Sequence, residues 1–192
     1  MIERKEIEAA FADLLDRIKN KRLREQVIDA WMLGIERGGW RSMAALREMP
    51  FTLATAPRGI NFLEHTLAVA RGALGLAEAQ LKSYVATPYA IHFDRLIAGA
   101  LLHDVGKLLE IERRPDGSHG KSRAGLLARH PLSGAMLAAE VGLPPEIINT
   151  IACHAKEGEG APQVVETVLI HQADFATFDP IVMLNKGTLV DG

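Results

Sequence analysis

The sequence predicts an all-α fold, and three observations support this class. Apolar residues recur at helical spacing through most of the chain, no segment shows the strong alternation of a half-buried strand, and Gly and Pro residues divide the chain into pieces of helix length. With 192 residues, of which 48% are hydrophobic, the chain has the size and composition of one packed domain with a small helical appendage.

The N-terminal part predicts helices that precede the main domain. Residues 2–36 carry a helical apolar pattern with a break near Asn20, Gly38-Gly39 ends it, and a short helix follows over residues 42–48. We expect residues 1–55 to form an N-terminal helical extension packed on the core.

The main domain is predicted over residues 56–180, followed by a tail over residues 181–192. Asn61 is a candidate N-cap, with Glu64 at the capping-box position, so His65 lies early in its helix. The next helix, over about residues 94–110, carries His103 and Asp104.

The sequence of the second half of the domain predicts four more helices and the loops between them. A polar loop covers residues 113–125, and a short helix covers 125–129. The pair His130-Pro131 opens a helix, because proline suits the first helical turn. The helix after Pro144-Pro145 carries His154 in its last turn, and after the loop GEGAP a final helix over 164–178 carries His171 and Asp174.

Charge and composition exclude several classes of protein. A net charge of −2 argues against a protein that coats nucleic acid by bulk charge, although a nucleotide or RNA end in a local pocket stays open. A single cysteine excludes an intrachain disulfide and a thiolate zinc site. Neither a signal peptide nor an apolar span long enough for a bilayer is present, which predicts a cytoplasmic protein without a membrane partner.

A His-Asp pair inside the apolar run LIAGALLHDVGKLLE predicts a metal centre, because a buried charge is costly unless it is paired or binds a metal. Further imidazoles and carboxylates follow at intervals of about one helix plus one loop, as expected when each helix of a bundle contributes to a shared site. The candidate ligands are His65, His103, Asp104, His130, His154 and Asp174.

This ligand set suits iron, manganese or zinc, and it exceeds what one tetrahedral ion needs. We therefore expect two divalent ions bridged by Asp104. His65, His103 and Asp174 would bind one ion, and His130 and His154 the other. If His130 and His154 only cap their helices, the site is mononuclear.

The order His65…His103-Asp104…Asp174, with the local form His-Asp-Val-Gly-Lys, resembles the signature of the HD-domain superfamily of metal-dependent phosphohydrolases. The resemblance covers about residues 58–178, and the stretches FLEHTLAVA, LLHDVGKLLE and CHAKEGEGAPQVVETVLIHQADFATFD are closest to HD-type 3′-5′ exoribonucleases. His130 and His154 match the branch with six ligands and two metals.

The resemblance implies an HD-domain helical bundle and an enzyme that cleaves a phosphoester of a nucleotide or short RNA with a metal-activated water. Two departures limit the substrate. About 55 residues of helix stand where the exoribonucleases carry an OB-fold domain, and residues 156–160 replace the Gly-Tyr-Pro motif of cyclic-di-GMP enzymes. The alternatives are a di-iron oxygenase of the same fold and a catalytically silent binding or regulatory module; homo-oligomerisation stays open.

Several polar residues near the ligand positions are candidates for substrate contact. Lys107 follows His103 by about one turn, so we expect it to act with Asp104 in catalysis and to bind a phosphate oxygen. Three further cations flank ligand positions, with solvated side chains as the alternative; they are Arg58, Arg129 and Lys156.

The remaining candidates are predicted to have no direct role. His171 shares a face with Asp174 and is expected to pack behind the ligands. His92 and His119 are expected in solvated loops, and Cys153 as a small buried apolar residue.

Overall fold

The computed structural model describes residues 1–158 and 161–190. The predicted loop positions Glu159 and Gly160, and the last two residues of the predicted tail, lie outside the described residues. The described part is a bundle of α-helices with one short antiparallel hairpin, which confirms the all-α class.

The N-terminal part is helical as its apolar spacing predicts, with a break at Phe11 in addition to the predicted break near Asn20. Its helices are α1 (Arg4–Ala10), α2 (Ala12–Leu15), α3 (Lys21–Gly38) and α4 (Met43–Glu48). The predicted break near Asn20 is the start of α3, where the Asn20 side chain accepts a hydrogen bond from the backbone N–H of Leu23. Gly39 ends α3 with a φ of 73°, in the left-handed region that favours glycine.

Helix α3 joins this N-terminal part to the rest of the bundle. The buried Trp31 indole donates to the carbonyl of Leu101 at 3.0 Å, and Trp40 donates to the carbonyl of Leu108 at 2.9 Å. One continuous apolar core includes residues from both parts. The division into domains at residue 55 stays a prediction.

The central helices position the candidate site. They are α5 (Phe62–Ser83), α6 (Phe93–Leu102), α7 (Lys107–Glu110), α8 (Arg123–Leu127), α9 (His130–Glu140), α10 (Pro145–Cys153) and α11 (Val165–Lys186), with a short 3₁₀ helix over Lys156–Gly158. The predicted capping box between Asn61 and Glu64 is present at the start of α5. Helix α5 packs between α6 and α11, and α9 packs on α10.

The prediction of one continuous helix over residues 94–110 is wrong, because the helix is interrupted in its middle. Helix α6 ends at Leu102, a buried turn follows, and α7 begins at Lys107. Tight turn hydrogen bonds, from Val105 N to Leu102 O and from Lys107 N to Asp104 O, redirect the chain there. The turn presents Asp104 toward the neighbouring helices.

The predicted polar loop over residues 113–125 contains a hairpin. Strand β1 (Ile111–Arg113) pairs with β2 (His119–Lys121) in antiparallel register. The sequence Pro115-Asp116-Gly117 makes its turn, with Gly117 at a φ of 84°. Turn residues therefore mark a hairpin whose strands are too short to show alternation.

The final helix is longer than predicted. Helix α11 continues through Pro180 to Lys186, where the sequence predicts a tail from residue 181. Pro180 has no backbone N–H to donate to the carbonyl of Ala176, four residues earlier. Both residues are exposed, so water can donate a hydrogen bond to that carbonyl instead. The last turn is anchored because Asn185 donates to Thr55 Oγ1 and to Ala56 O, each at 2.8 Å.

Within the described residues, no helix combines the length and apolar character that a membrane crossing requires.

Candidate metal centre

The structure brings the six predicted ligands together around the turn that separates α6 from α7. His65 comes from α5, His130 opens α9, and His154 directly follows α10. Asp174 lies on α11, one helical turn after His171. All six are buried except Asp174, whose side chain is 14% exposed.

The two carboxylate oxygens of Asp104 face different histidines. Oδ2 lies 3.4 Å from His65 Nε2 and 3.3 Å from His103 Nε2. Oδ1 lies 3.3 Å from His130 Nε2 and 3.5 Å from His154 Nε2. The two oxygens of Asp104 therefore lie beside two separate pairs of histidines, and its role as a bridge between two ions stays a prediction.

Asp174 completes the side of the cluster that contains His65, because its Oδ1 lies 3.1 Å from His65 Nε2. Among the described residues, three groups of side chains have ligand atoms close enough to hold an ion in common. They are His65, His103 and Asp104; His103, His154 and Asp174; and Asp104, His130 and His154. Two of these groups share Asp104, as the predicted bridge requires.

In each of the four candidate histidines, Nδ1, the ring nitrogen opposite Nε2, makes a hydrogen bond. His103 Nδ1 lies 2.7 Å from the carbonyl of Ala100, and His154 Nδ1 lies 2.8 Å from the carbonyl of Ile151. A carbonyl only accepts hydrogen bonds, so both rings carry their proton on Nδ1. Their Nε2 lone pairs then face the cluster, which is the tautomer that binds a metal through Nε2.

His65 follows the same pattern through a hydroxyl. Its Nδ1 lies 3.4 Å from Thr177 Oγ1, and that hydroxyl donates to the carbonyl of Asp174 at 2.8 Å. Because the hydroxyl proton is committed, Thr177 Oγ1 accepts from His65. His130 Nδ1 instead donates to the carboxylate of Glu110 at 2.8 Å.

The centre of the cluster contains buried polar atoms that make no hydrogen bond with any described residue. They are Nε2 of His65, His103 and His154, and Oδ1 of Asp104. Burying such atoms without a partner is costly, and divalent transition metals are the partners that imidazole and carboxylate together suit. The donor set therefore fits divalent metal ions.

The charges in the cluster favour ionised carboxylates and at least one neutral ring. Burial opposes ionisation of Asp104, but the charge of the neighbouring Lys107 holds the pKa of its carboxyl well below the usual range. Burial also opposes ionisation of Asp174, but the neighbouring His65, whose Nε2 lies 3.1 Å from its Oδ1, brings the pKa of Asp174 to about 2. Burial lowers the pKa of His130, which favours the neutral imidazole that metals bind.

Lys107 lies beside the cluster, as predicted. Its Nζ donates to Asp104 Oδ2 at 2.5 Å and to the carbonyl of Phe51 at 2.7 Å. The side chain is only 13% exposed, so this cation is held in place and is not a solvated lysine at a helix end.

A cavity of about 460 Å³ opens over the cluster. Its lining includes two of the predicted cations, Arg129 and Lys156. Arg58 is not among the lining residues of the described chain; its Nε donates to Asn185 Oδ1 at 2.5 Å. The predicted substrate contact of Arg58 stays a prediction. A larger cavity of about 620 Å³ beside α3 contains none of the six candidate ligands.

The cavity also contains residues that the sequence interpretation missed. Phe51, Phe175 and Phe178 line it, together with Lys121 and Glu110. Glu110 ends the apolar run that contains His103, so an acidic residue in that run is a signal that could have identified it. The three phenylalanines carry no such signal, because an aromatic residue at helical spacing also fits a core.

The remaining polar candidates lie outside the cluster. His171 Nδ1 donates to the carbonyl of His154 at 2.6 Å, which agrees with a packing role behind the ligands. His92 is exposed at the start of α6. His119 is not a solvated loop residue, because it lies in β2 and stacks on Trp40 at a ring distance of 6.1 Å. Cys153 is half-buried, with its Sγ 3.5 Å from Asn149 Nδ2.

Comparisons with known proteins agree with this geometry. The family model described as HD domain matches residues 62–176. The dihydroneopterin 2′,3′-cyclic phosphate phosphodiesterase of Methanocaldococcus jannaschii is 27% identical over 172 residues, covering 85% of this chain and 66% of that protein. Ribonuclease Y of Thermotoga petrophila is 33% identical over 116 residues, covering 60% of this chain but only 18% of the ribonuclease.

Ribonuclease Y of Desulforudis audaxviator is 34% identical over 118 residues, again with 18% of that protein covered. The chain thus spans less than two thirds of the length of these relatives. No solved structure matches the chain significantly.

Proposed function

Since this chain belongs to the HD-domain family, we propose that it is a metal-dependent phosphohydrolase that cleaves a phosphoester of a nucleotide or short RNA. The observation that carries the proposal is the position of Asp104, whose two oxygens face two separate pairs of histidines. The names of the relatives, a phosphodiesterase and a ribonuclease, support phosphoester chemistry.

Two divalent ions would be held by the six side chains. His65, His103 and Asp174 would hold one ion together with Asp104, and His130 and His154 would hold the other together with the same carboxylate. The unpartnered Nε2 atoms of His65, His103 and His154 support metal binding. The groups His65, His103 and Asp104, and Asp104, His130 and His154, support this division. Iron, manganese and zinc all suit such a mixed set of imidazoles and carboxylates.

When bound, such ions supply Lewis acidity to the phosphoryl group and activate a water molecule as the nucleophile. The chain contributes positioning and charge. Lys107 uses two of its three N–H donors on Asp104 and Phe51. Within the part of the chain that the structure describes, the third donor has no partner and could reach a phosphoryl oxygen. A fixed cation there stabilises the negative charge that grows in the transition state.

The cavity supports a substrate with an aromatic part and a phosphate. Phe51, Phe175 and Phe178 form an apolar part of its lining, next to His65. Lys121 and the two lining cations predicted from sequence, Arg129 and Lys156, provide positive charge. A nucleobase packed on the aromatic side chains would place its sugar phosphate near Asp104, and the M. jannaschii relative is named for a cyclic phosphodiester of a pterin.

A hydrolysis screen tests this proposal. Chelator-treated protein is loaded with Mn²⁺ and assayed against 2′,3′-cyclic nucleotides, cyclic dinucleotides, dinucleoside polyphosphates, nucleotide monoesters and short RNAs. We expect Mn²⁺-dependent release of product from at least one class, and none from Asp104→Asn. Asp94→Asn is the matched control, because Asp94 lies outside the cluster and accepts hydrogen bonds from the backbone of Lys19 and Asn20.

Fully loaded protein that hydrolyses no phosphoester would contradict the proposal. Oxygen consumption by iron-loaded protein would then support the di-iron oxygenase alternative. Metal binding without either activity would support a binding or regulatory module.

A further inference from the structure

The buried carboxylate of Glu110 has no part in the hydrolysis proposed above, yet it contacts a candidate ligand. Glu110 is the last residue of α7 and is only 5% exposed. A buried carboxylate is costly unless its oxygens are paired. The contacts of both oxygens therefore indicate what this residue does.

Both oxygens of Glu110 are occupied by residues at the start of α9. Oε2 accepts from the backbone N–H of His130 at 2.7 Å and from its Nδ1 at 2.8 Å. Oε1 accepts from Arg129 Nε at 2.9 Å, and Lys121 Nζ lies 3.8 Å away. Glu110 is absent from the three groups of described side chains that can share an ion, so it acts on His130 and not as a ligand.

This contact distinguishes His130 from the other three histidines. His103 and His154 donate from Nδ1 to neutral backbone carbonyls, and His65 donates to the hydroxyl of Thr177. A carboxylate partner fixes the imidazole tautomer and ring orientation as the neutral partners do, and in addition it makes the opposite nitrogen more basic. His130 Nε2, 3.3 Å from Asp104 Oδ1, is that opposite nitrogen.

The backbone around Glu110 keeps the carboxylate in place. The carbonyl of Glu110 accepts from Ser122 N at 2.9 Å. Helix α8 packs closely on it, because a Cβ at Gly125 would lie 2.5 Å from Glu110 O and 2.8 Å from Glu110 Cγ. The carboxylate is thus fixed from the hairpin side as well as from α9.

We infer that Glu110 is a positioning residue that sets the affinity of the metal position formed by His130, His154 and Asp104 Oδ1. This inference rests on the two-ion centre of the proposed function, and it concerns metal affinity alone. Among the described residues, the hydrogen bonds and ion pairs of the Glu110 carboxylate involve Lys121, Arg129 and His130 and none of His65, His103 and Asp174, so the position formed by these three should not depend on it.

Calorimetric titration of chelator-treated protein with Mn²⁺ tests the inference without any substrate. Wild-type protein should bind two ions. Glu110→Gln keeps the size of the side chain and should weaken one binding event about 10- to 100-fold, leaving the other within about twofold. Glu166→Gln is the matched control, because Glu166 is also buried but accepts from the backbone N–H of His92, and both events should stay unchanged.

A double-mutant cycle assigns the weakened event. His130→Ala should remove one ion, and adding Glu110→Gln to it should leave the affinity of the remaining ion unchanged. Equal weakening of both events in Glu110→Gln, or no weakening of either, would overturn the inference. Wild-type protein that binds one ion would also overturn it, whereas phosphoester hydrolysis by that one-ion protein would retain the hydrolase proposal.

Discussion

Replacing Gly106 by alanine should disturb the metal centre without touching a ligand. Gly106 has a φ of −64°, which any residue adopts, so its role is close packing. A Cβ there would lie 2.1 Å from His130 O, 2.6 Å from Gly134 N and 2.7 Å from Ser133 Oγ. Two of these atoms are backbone of α9, so the start of that helix would have to move.

The size of that movement sets the expected effect. Cβ contacts under 3.0 Å essentially never occur in proteins, so α9 must shift by about 1 Å, and overpacking of this kind typically costs about 1–3 kcal/mol. The shift carries His130 away from Asp104, now 3.3 Å from it. A misplacement of about 1 Å in an active site can lower the rate about 10²-fold.

Urea unfolding and metal analysis of the same preparation measure this effect. Gly106→Ala should be less stable than wild type and should lose the ion at His130 before the ion at His65. Gly75→Ala is the matched control, because Gly75 is exposed in α5 with nothing within 4 Å of its added Cβ. That variant should be about 0.5–1 kcal/mol more stable. A Gly106→Ala protein with wild-type stability and two bound ions would refute the packing argument.

Three further predictions concern the cluster itself. Asp104→Ala should abolish metal binding, because its oxygens lie between both pairs of histidines, whereas His171→Ala should retain metal; equal metal loss in elemental analysis would contradict the ligand assignment. Lys107→Ala should keep its metal but lose about 10²–10³-fold in hydrolysis rate, and wild-type turnover would place Lys107 outside the reaction. Burial opposes ionisation of Glu110, but the hydrogen bond and charge of His130 lower its pKa from 4.5 to about 2. The ionised carboxylate therefore stabilises the metal-free fold above about pH 4.5 and loses this contribution as the pH falls toward 2. The free energy of unfolding should differ most between wild type and Glu110→Gln above that pH, and a difference that does not change with pH would be evidence against this origin.

The helices that carry the centre were predictable because each leaves a local signal. The side chains of Asn61 and Glu64 each accept a hydrogen bond from the other residue's backbone N–H, so four consecutive residues indicate the start of α5. Pro131 and Pro145 mark the starts of α9 and α10 in the same way. The spacing of the ligand positions, about one helix plus one loop apart, then predicted that the six side chains would meet.

The parts that sequence patterns missed depend on contacts between distant segments. The break between α6 and α7 lies in an apolar run without proline, and the close approach of Gly106 to α9 accompanies it. Helix α11 passes Pro180 while its last turn is anchored by Asn185 on Ala56. Glu110 gains its role from His130, twenty residues later in the chain. Neither local propensity nor periodicity contains such information.

The contact between the first and last of the six candidate ligands has a consequence for the order of folding. Oδ1 of Asp174 on α11 lies 3.1 Å from Nε2 of His65 on α5. Thr177, three residues after Asp174, also contacts His65 and is 112 residues away from it in the chain. During synthesis, His65, His103 and Asp104 emerge early and can already meet an ion, but Asp174 cannot join them until α11 has docked. A partly synthesised chain would therefore bind metal weakly, and tight metal binding would indicate that α11 has docked on the bundle.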